Sequence, residues 1–213
     1  MFIIYGYAFY FTCALVGISI GYHRYFTHRS FSTNKQVEKL MLMLGLICGG
    51  RSALTWAAVH RMHHAKSDTK YDPHSPVYKG ALKVLTSRWK VEYIPRKYIV
   101  DLIKNPRVVF FHKYGKYIHA VYAFIMLLGG WQMFVTFVVM PFVLAWIGFG
   151  CLNYFAHKKG QPEDVVLLNL IAPGEGWHKT HHNKPMSYKL HKFDIAGIVI
   201  ERFFTPTKFS SKN

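Results

Sequence analysis

The chain has 213 residues, which is enough for one domain of ordinary size. Hydrophobic residues make up 51% and aromatic residues 17%, which excludes a disordered chain, and three scattered cysteines exclude a disulfide scaffold. The formal net charge of +17, from 27 basic and 10 acidic residues, predicts an anionic partner, either nucleic acid or a membrane surface.

The first 21 residues carry no Lys, Arg, Asp or Glu. They are long enough to cross the hydrocarbon core of a bilayer as a helix, which takes about 20 residues. A cleaved signal peptide would have a basic N-terminal region and a small-residue cleavage site, whereas this run leads straight into GYHRYFTH. We therefore predict a first transmembrane helix over residues 1–22.

A second charge-free stretch covers residues 117–157. Its 41 residues are too many for one span and fit two short spans joined by a tight turn. The glycine pair at 129–130 is the predicted turn, which places the spans at 113–128 and 132–153. Pro141 would lie inside the second span, where membrane helices tolerate proline, and a turn nearer Pro141 is the alternative.

A third apolar stretch, residues 40–59, contains Arg51 near its middle and three glycines beside it. An arginine at the centre of a bilayer is costly. We predict a helix pair or a re-entrant element packed against protein, with a full span as the alternative.

All 27 basic residues lie in the segments 22–39, 51–116 and 158–213. One span before them and a hairpin between them would put these segments on one side of the membrane, which the positive-inside rule makes cytoplasmic. The charge then belongs to a cap that anionic lipids attract, and no nucleic-acid-binding pattern is visible. The predicted fold is an all-α integral membrane protein with about three transmembrane helices and a cytoplasmic helical cap.

Nine of the thirteen histidines fall into four clusters, an H-x4-H at 23–28, H-x2-HH at 60–64 and 178–182, and Asn-x3-His at 153–157. Residues i, i+3 and i+4 share a helix face, so each H-x2-HH aims three imidazoles at one point. The H-x4-H pair would lie about 140° apart on an ideal α-helix, so we expect the first span to end or loosen there. The predicted metal ligands are His23, His28, His60, His63, His64, His157, His178, His181 and His182.

Imidazole nitrogen suits Zn, Cu, Fe and Ni. Nine histidines are too many for one ion and suit two. The sequence contains neither the H-E-x-x-H of zinc proteases nor the Glu-x-x-His of ferritin-like bundles. We predict a dinuclear, histidine-ligated metal centre at the cytoplasmic ends of the membrane helices.

The clusters, in this order around hydrophobic spans, resemble the histidine boxes of the integral-membrane fatty acid desaturases, and most closely the stearoyl/Δ9 branch. The resemblance rests on the segments 21–31, 60–74, 153–157 and 174–182, and it covers about residues 15–205. It implies a di-iron, O2-dependent enzyme that removes two hydrogens from adjacent methylenes of a long saturated acyl chain to leave a cis double bond.

By the same resemblance, the nine histidines would bind two iron ions and Asn153 would hold a metal-bound water. The expected partners are a long-chain acyl lipid or thioester, the lipid bilayer and a separate electron donor of the ferredoxin or cytochrome b5 type. Selecting one carbon of a uniform chain also requires a narrow, dry tunnel.

The sequence departs from the family pattern in two ways. The chain, expected to be one domain over 1–213, begins within what resembles the family's second span, so the first transmembrane helix would be missing. Where animal acyl-CoA desaturases carry an Arg-Asp pair before the second box, this chain has Ala58 and Val59, which favours an acyl-lipid substrate over acyl-CoA.

Several motif residues have two interpretations. Asp68, Thr69 and Asp72 could hold histidines through their second ring nitrogen or merely cap a helix. Trp177 could line the tunnel or, as we favour, sit at the membrane interface, and Glu175 could pair with a basic residue or with a histidine.

Histidines outside the four clusters are expected to contact head groups or to be satisfied core side chains rather than ligands. This expectation covers His112, His119 and His191, while His74 stays open.

Two rival functions fit the same sequence features. A hydroxylase or other oxygenase on the same scaffold shares the first C–H abstraction with a desaturase. A metal-handling membrane protein without redox chemistry would bind exchangeable zinc or copper, but its histidines should lie within spans rather than at span ends.

Overall fold

The structure, a computed structural model, describes residues 1–207, and these are mostly helical with very little strand. The described residues form ten α-helices: α1 (Phe2–Cys13), α2 (Lys35–Ile47), α3 (Ala53–Lys66), α4 (Pro76–Lys79), α5 (Ala81–Leu85), α6 (Pro106–Leu128), α7 (Trp131–Phe134), α8 (Met140–Phe155), α9 (His178–Asn183) and α10 (Ile195–Phe203). Short 3-10 turns form at Arg96–Tyr98, Leu102–Lys104 and Val166–Leu170. Strands β1 (Phe31–Ser32) and β2 (Thr205–Pro206) pair antiparallel.

Two long helices in the described part of the chain are apolar enough to cross a membrane. The first is α1 together with a π-helical segment, Ala14–Thr27, giving a continuous helix Phe2–Thr27 that contains an 18-residue window of mean hydropathy 1.8. The second runs from α7 through a π-helical turn, Val135–Val139, to the end of α8, giving Trp131–Phe155, which contains an 18-residue window of mean hydropathy 2.2. These helices include the predicted spans at 1–22 and 132–153.

The third predicted span, 113–128, lies within α6, whose first half carries Arg107, Lys113 and Lys116. Its charge-free part, residues 117–128, would be about 18 Å long, short of the roughly 30 Å hydrocarbon core. The predicted turn at 129–130 is confirmed, since α6 ends at Leu128 and Gly130 adopts φ 101° before α7 begins. Helix α6 packs back on the second long helix, where the Tyr122 hydroxyl donates to the Phe137 carbonyl at 2.8 Å.

The apolar stretch 40–59 forms a helix pair, as the sequence predicted, with α2 and α3 joined by a short turn. Asn34 and Ser52 cap the two helices by accepting hydrogen bonds from backbone N–H groups of the first turn. Helix α2 lies against the π-helical segment so closely that a Cβ on Gly17 would stand 2.2 Å from the Gly45 nitrogen. The backbones approach this closely only because Gly17 has no side chain.

The main hydrophobic core lies between the first long helix, α2, α3 and α6, with Ile18, Tyr22, Met41 and Leu42 all fully buried. It holds the C-terminal end of the first helix against the C-terminal half of α3. The ends of these helices carry the first two histidine clusters, so the core positions them beside each other.

Candidate metal centre

The first histidine cluster occupies the end of the π-helical segment. A π-helix forms hydrogen bonds between residues i and i+5, which brings side chains five positions apart onto nearly the same face. The His28 N–H accordingly donates to the His23 carbonyl at 3.1 Å, and the two imidazole rings lie 5.0 Å apart. The expected loosening of the first span therefore takes a specific form, a widened helix that lets both histidines point inward.

Five histidines from three segments form the first cluster of imidazoles, group A. Its members are His23, His28, His60, His64 and His181. The Nε2 atom of His181 lies 2.9 Å from that of His23, 2.8 Å from that of His64 and 3.4 Å from that of His60. One imidazole N–H cannot satisfy three nitrogens, so these contacts are not an ordinary hydrogen-bond network.

The other four histidines form group B, which consists of His63, His157, His178 and His182. The Nε2 atom of His157 lies 2.8 Å from that of His178, and the Nε2 atom of His182 lies 3.2 Å from those of both His63 and His178. The two groups adjoin, since the rings of His64 and His182 stack 4.3 Å apart.

The spacing within each group fits a coordination polyhedron. A metal–nitrogen bond of about 2.1 Å puts neighbouring ligand atoms about 3.0 Å apart in an octahedron and about 3.4 Å apart in a tetrahedron. The observed separations of 2.8–3.4 Å fall around these values. The buried Nε2 atom of His28 has no hydrogen-bond partner within residues 1–207. Buried polar atoms normally have such a partner, so an unpaired nitrogen here is consistent with a metal ligand.

Carboxylates hold the outward-facing nitrogens of group B. Asp72 accepts from Nδ1 of His63 at 3.0 Å, and Asp68 accepts from Nδ1 of His157 at 2.9 Å. These bonds place the imidazole proton on Nδ1 and leave the Nε2 lone pair facing the centre. Both aspartates therefore hold histidines, whereas Thr69 donates to the Lys66 carbonyl and supports a turn.

Glu175 performs the same task for group A, and it pairs with a histidine and a basic residue at once. It accepts from Nδ1 of His23 at 2.8 Å and from the Ser19 hydroxyl at 2.6 Å, and the Arg24 guanidinium lies 3.4 Å away. Arg24, 1% exposed, also donates to Asp194 at 3.0 Å. A buried network of charged side chains thus fixes the orientation of the His23 ring.

Sequence reasoning missed Ser19, Arg24 and Asp194. One signal was available for Arg24, because an arginine inside an apolar helix must find a partner when it is buried. The partners themselves lie 151 and 170 positions away in the chain, so no local pattern could identify them.

Burial favours the neutral form of five of these histidines, namely His28, His60, His64, His181 and His182. Desolvation, reinforced by the positive potential of neighbouring histidines, lowers the pKa of His28, His60 and His181 well below the usual value. It lowers the pKa of His64 to about 3 and that of His182 to about 2. A neutral imidazole offers the lone pair that a metal ion requires.

A cavity of about 900 Å³ opens beside the two groups. Its wall includes His60, His63 and His178 at one end and the apolar side chains of Phe142 and Trp146 at the other. The rise along α8 from Phe142 to Asn153, which also lines the cavity, is about 16 Å. The cavity is thus a long, largely apolar space that ends at the histidines.

The histidines outside the four clusters have other partners. His112 contacts the Ser52 hydroxyl at 2.8 Å, His119 packs near Tyr122, and His191 stacks on Trp177 at 3.9 Å. Trp177 is not among the described residues that line the cavity.

His74 is the exception, because it stacks on His63 with ring centroids 4.3 Å apart and lines the cavity. Its Nδ1 is 4.0 Å from Asp72 and has no hydrogen-bond partner in the described residues. Burial lowers the pKa of His74 to about 4.

Nine converging imidazoles next to two long apolar helices define a helical membrane protein with a metal-binding site. The sequence profile described as "Fatty acid desaturase" matches residues 2–194. The chain belongs to the fatty acid desaturase family, whose enzymes are oxidoreductases of the membrane.

Named relatives agree with this assignment. The chain is 30% identical, over 78% of its length, to an sn-1 stearoyl-lipid 9-desaturase of Anabaena variabilis, of which the match covers 66%. It is 29% identical, over 92% of its length, to Delta-9 acyl-lipid desaturase 2 of Arabidopsis thaliana, of which 69% is covered. An acyl-CoA C20 Delta5-desaturase of Anemone leveillei is 29% identical over 83% of the chain, and 61% of that relative is covered. The chain thus spans roughly two thirds of the length of these curated relatives.

Proposed function

We propose that the chain carries the catalytic centre of an O2-dependent desaturase, which introduces a cis double bond into a long-chain saturated acyl group, at Δ9, with two iron ions bound by groups A and B. The observation that carries the proposal is the pair of histidine groups, whose Nε2 atoms converge at the end of a cavity of about 900 Å³. The net reaction takes two hydrogens from adjacent methylenes and consumes O2, two electrons and two protons to give the alkene and two waters.

The residues fit two iron ions. Imidazole nitrogen is a suitable donor for iron, each group offers at least four such atoms, and the carboxylates behind His23, His63 and His157 make those rings better donors. Iron would supply the oxidising power that side chains lack for breaking an unactivated C–H bond.

The chain's own residues would bind, orient and shield the substrate. The apolar wall around Phe142 and Trp146 would exclude water and hold an acyl chain extended toward His60 and His178. The Asn153 amide, on the cavity wall next to group B, would hold a water ligand.

An acyl-lipid substrate is our preferred choice between lipid and thioester. Its support is the pair Ala58 and Val59, which replaces the Arg-Asp pair of animal acyl-CoA desaturases, together with the acyl-lipid names of two relatives. The electrons would come from a separate ferredoxin or cytochrome b5, and the clustering of basic segments favours a centre on the cytoplasmic face.

The test is product analysis of the purified protein supplied with iron, O2, an electron donor and a saturated acyl lipid. A product 2 mass units lighter supports desaturation, and a product 16 units heavier refutes it in favour of a hydroxylase. Expression in a desaturase-deficient host, followed by analysis of fatty acids in each lipid class, locates the double bond and the head group.

A matched pair of variants tests the centre. His181→Ala removes the nitrogen at the middle of group A and should abolish activity and lower bound iron, whereas His119→Ala removes a histidine outside both groups and should change neither. Retention of iron and activity in His181→Ala would refute the proposed centre and would favour a metal-handling protein without redox chemistry.

A further inference from the structure

The segment 165–176, which precedes the third histidine cluster, forms a closed loop with an apolar tip. The Val165 N–H donates to the Gly176 carbonyl at 2.8 Å and closes the neck of the loop. Charged Asp164 and Glu175 flank the neck, while the sequence between them, VVLLNLIAPG, carries no charge. We call residues 165–176 the tip loop.

Three aliphatic side chains of the tip loop point away from the protein. Val166 is 50% exposed, Leu167 77% and Leu170 59%, although Leu168 between them is buried. Exposed aliphatic side chains are unremarkable singly, but a cluster on one loop marks a surface that contacts a partner or a membrane.

The tip of the loop packs against both long apolar helices, away from the ends of these helices that adjoin the histidines. The Tyr7 hydroxyl donates to the Leu170 carbonyl at 2.7 Å, and the Tyr10 hydroxyl donates to the Ile171 carbonyl. On the second helix, a Cβ at Gly148 would stand 2.0 Å from the Ile171 carbonyl oxygen. Gly148 lies about 10 Å, seven residues, before the end of α8, so the tip reaches at least that far along the span.

Several backbone polar groups of the tip loop are paired within the protein. The N–H groups of Leu168 and Ile171 donate to carbonyls inside the loop, and the Asn169 side chain both donates to the Val166 carbonyl and accepts from the Gly174 N–H. The tyrosines of the first helix supply hydroxyl donors to two carbonyls that the loop itself leaves free. Irregular backbone can lie at membrane depth only when its polar groups are satisfied in this way.

We propose that the tip loop is a membrane-inserted element whose Val166, Leu167 and Leu170 contact lipid acyl chains beside the two long helices. The occupant of this surface is lipid and not another protein, because the loop is seated on helices that are themselves apolar enough to lie in the bilayer. The inference goes beyond desaturation and holds whatever reaction the centre performs. Since Glu175 and His178 follow the tip directly, insertion would also set the depth of the metal centre relative to the lipid surface.

A spin-label experiment distinguishes lipid from a protein partner as the neighbour of the tip loop. The full chain is reconstituted in phosphatidylcholine vesicles with a nitroxide at Leu167→Cys, and a matched label is placed at exposed Gln161→Cys, before the neck of the loop. Both variants are built in a background with Cys13, Cys48 and Cys151 replaced by alanine, and only preparations with a wild-type circular dichroism spectrum are measured.

Insertion predicts that dissolved oxygen relaxes the label at 167 several-fold more than at 161, whereas a water-soluble nickel complex relaxes it several-fold less. Equal access of the nickel complex to the two positions refutes the proposal, and poor access of both reagents at 167 refutes it in favour of a protein partner.

A charge substitution gives a readout that needs no cysteine replacement. In lipid nanodiscs, Leu167→Asp should lower the melting temperature by at least about 3 °C relative to Gln161→Asp, because only the former places a carboxylate in hydrocarbon. Equal melting temperatures for the two variants overturn the proposal.

Discussion

Glu175→Gln is nearly isosteric and removes one buried negative charge. In the wild-type protein, His23 and Arg24 outweigh the effect of burial, which by itself would raise the pKa of Glu175, and they lower that pKa below the usual value. Glu175 is 3% exposed, so its ionised form exists only because of these neighbours. In the variant, Arg24 keeps Asp194 alone as a charged partner.

The substitution should lower both the stability of the protein and its affinity for iron. Removing one member of a buried ion pair typically destabilises a protein by 3–5 kcal/mol, and we expect about 2–3 kcal/mol because the bond from Arg24 to Asp194 survives. The weaker hydrogen bond to His23 should lower the iron affinity of group A roughly 10- to 100-fold.

The assay pairs thermal unfolding in detergent with the iron content of each chain, measured across a series of chelator concentrations. The matched control is Glu163→Gln, which disrupts an ion pair to Lys159 whose lysine is 63% exposed, and such surface pairs contribute at most about 1 kcal/mol. If Glu175→Gln bound two irons as tightly as the wild type and melted at the same temperature as Glu163→Gln, the role of the buried carboxylate in holding His23 would be refuted.

Three further predictions concern pH, packing and metal removal. The pKa of His64 is about 3 and that of His182 about 2 in the folded protein, so the unfolded chain binds more protons than the folded chain below pH 6.5. The free energy of unfolding of the apoprotein should therefore fall by about 2 kcal/mol per histidine between pH 7 and pH 5. A free energy of unfolding that does not change with pH, measured by denaturant titration, would contradict this. Gly17→Ala should destabilise by at least about 2 kcal/mol, since its methyl would meet the backbone of Gly45, whereas Gly115→Ala meets only a flexible Leu side chain and should change the melting temperature less. Stripping metal with a chelator should lower the melting temperature by the equivalent of about 3 kcal/mol if the free metal had been at 100 times its Kd, and readdition of iron should restore it.

The sequence predicted the two charge-free helices, the glycine turn at 129–130 and the helix pair over 40–59. Each depends on composition and local chain geometry, which a sequence records directly. The third predicted span corresponds to α6, which is not one of the two helices apolar enough to cross a membrane in the described part of the chain. Three cations in its first half shorten its apolar part, because the length of a span depends on where the charges stop rather than on where the helix begins.

The nine inward-facing histidines were also visible in the sequence. Spacings of three and four residues on a helix bring imidazoles together through local geometry alone, which is why two H-x2-HH clusters were informative. The widened helix under the H-x4-H pair was anticipated only as a loosening, since no residue pattern distinguishes a π-helix from a helix end.

Tertiary structure alone decided which carboxylate faces which ring and where the tip loop packs against the two long helices. Glu175 meets His23 across 152 positions, and Asp68 meets His157 across 89. Contacts this distant leave no periodic trace in a sequence, because they are formed by the packing of separate elements. Local spacing thus identifies the histidines, whereas the buried carboxylates fix the orientation of the rings that they contact, and the position of the tip loop follows from its packing on two helices.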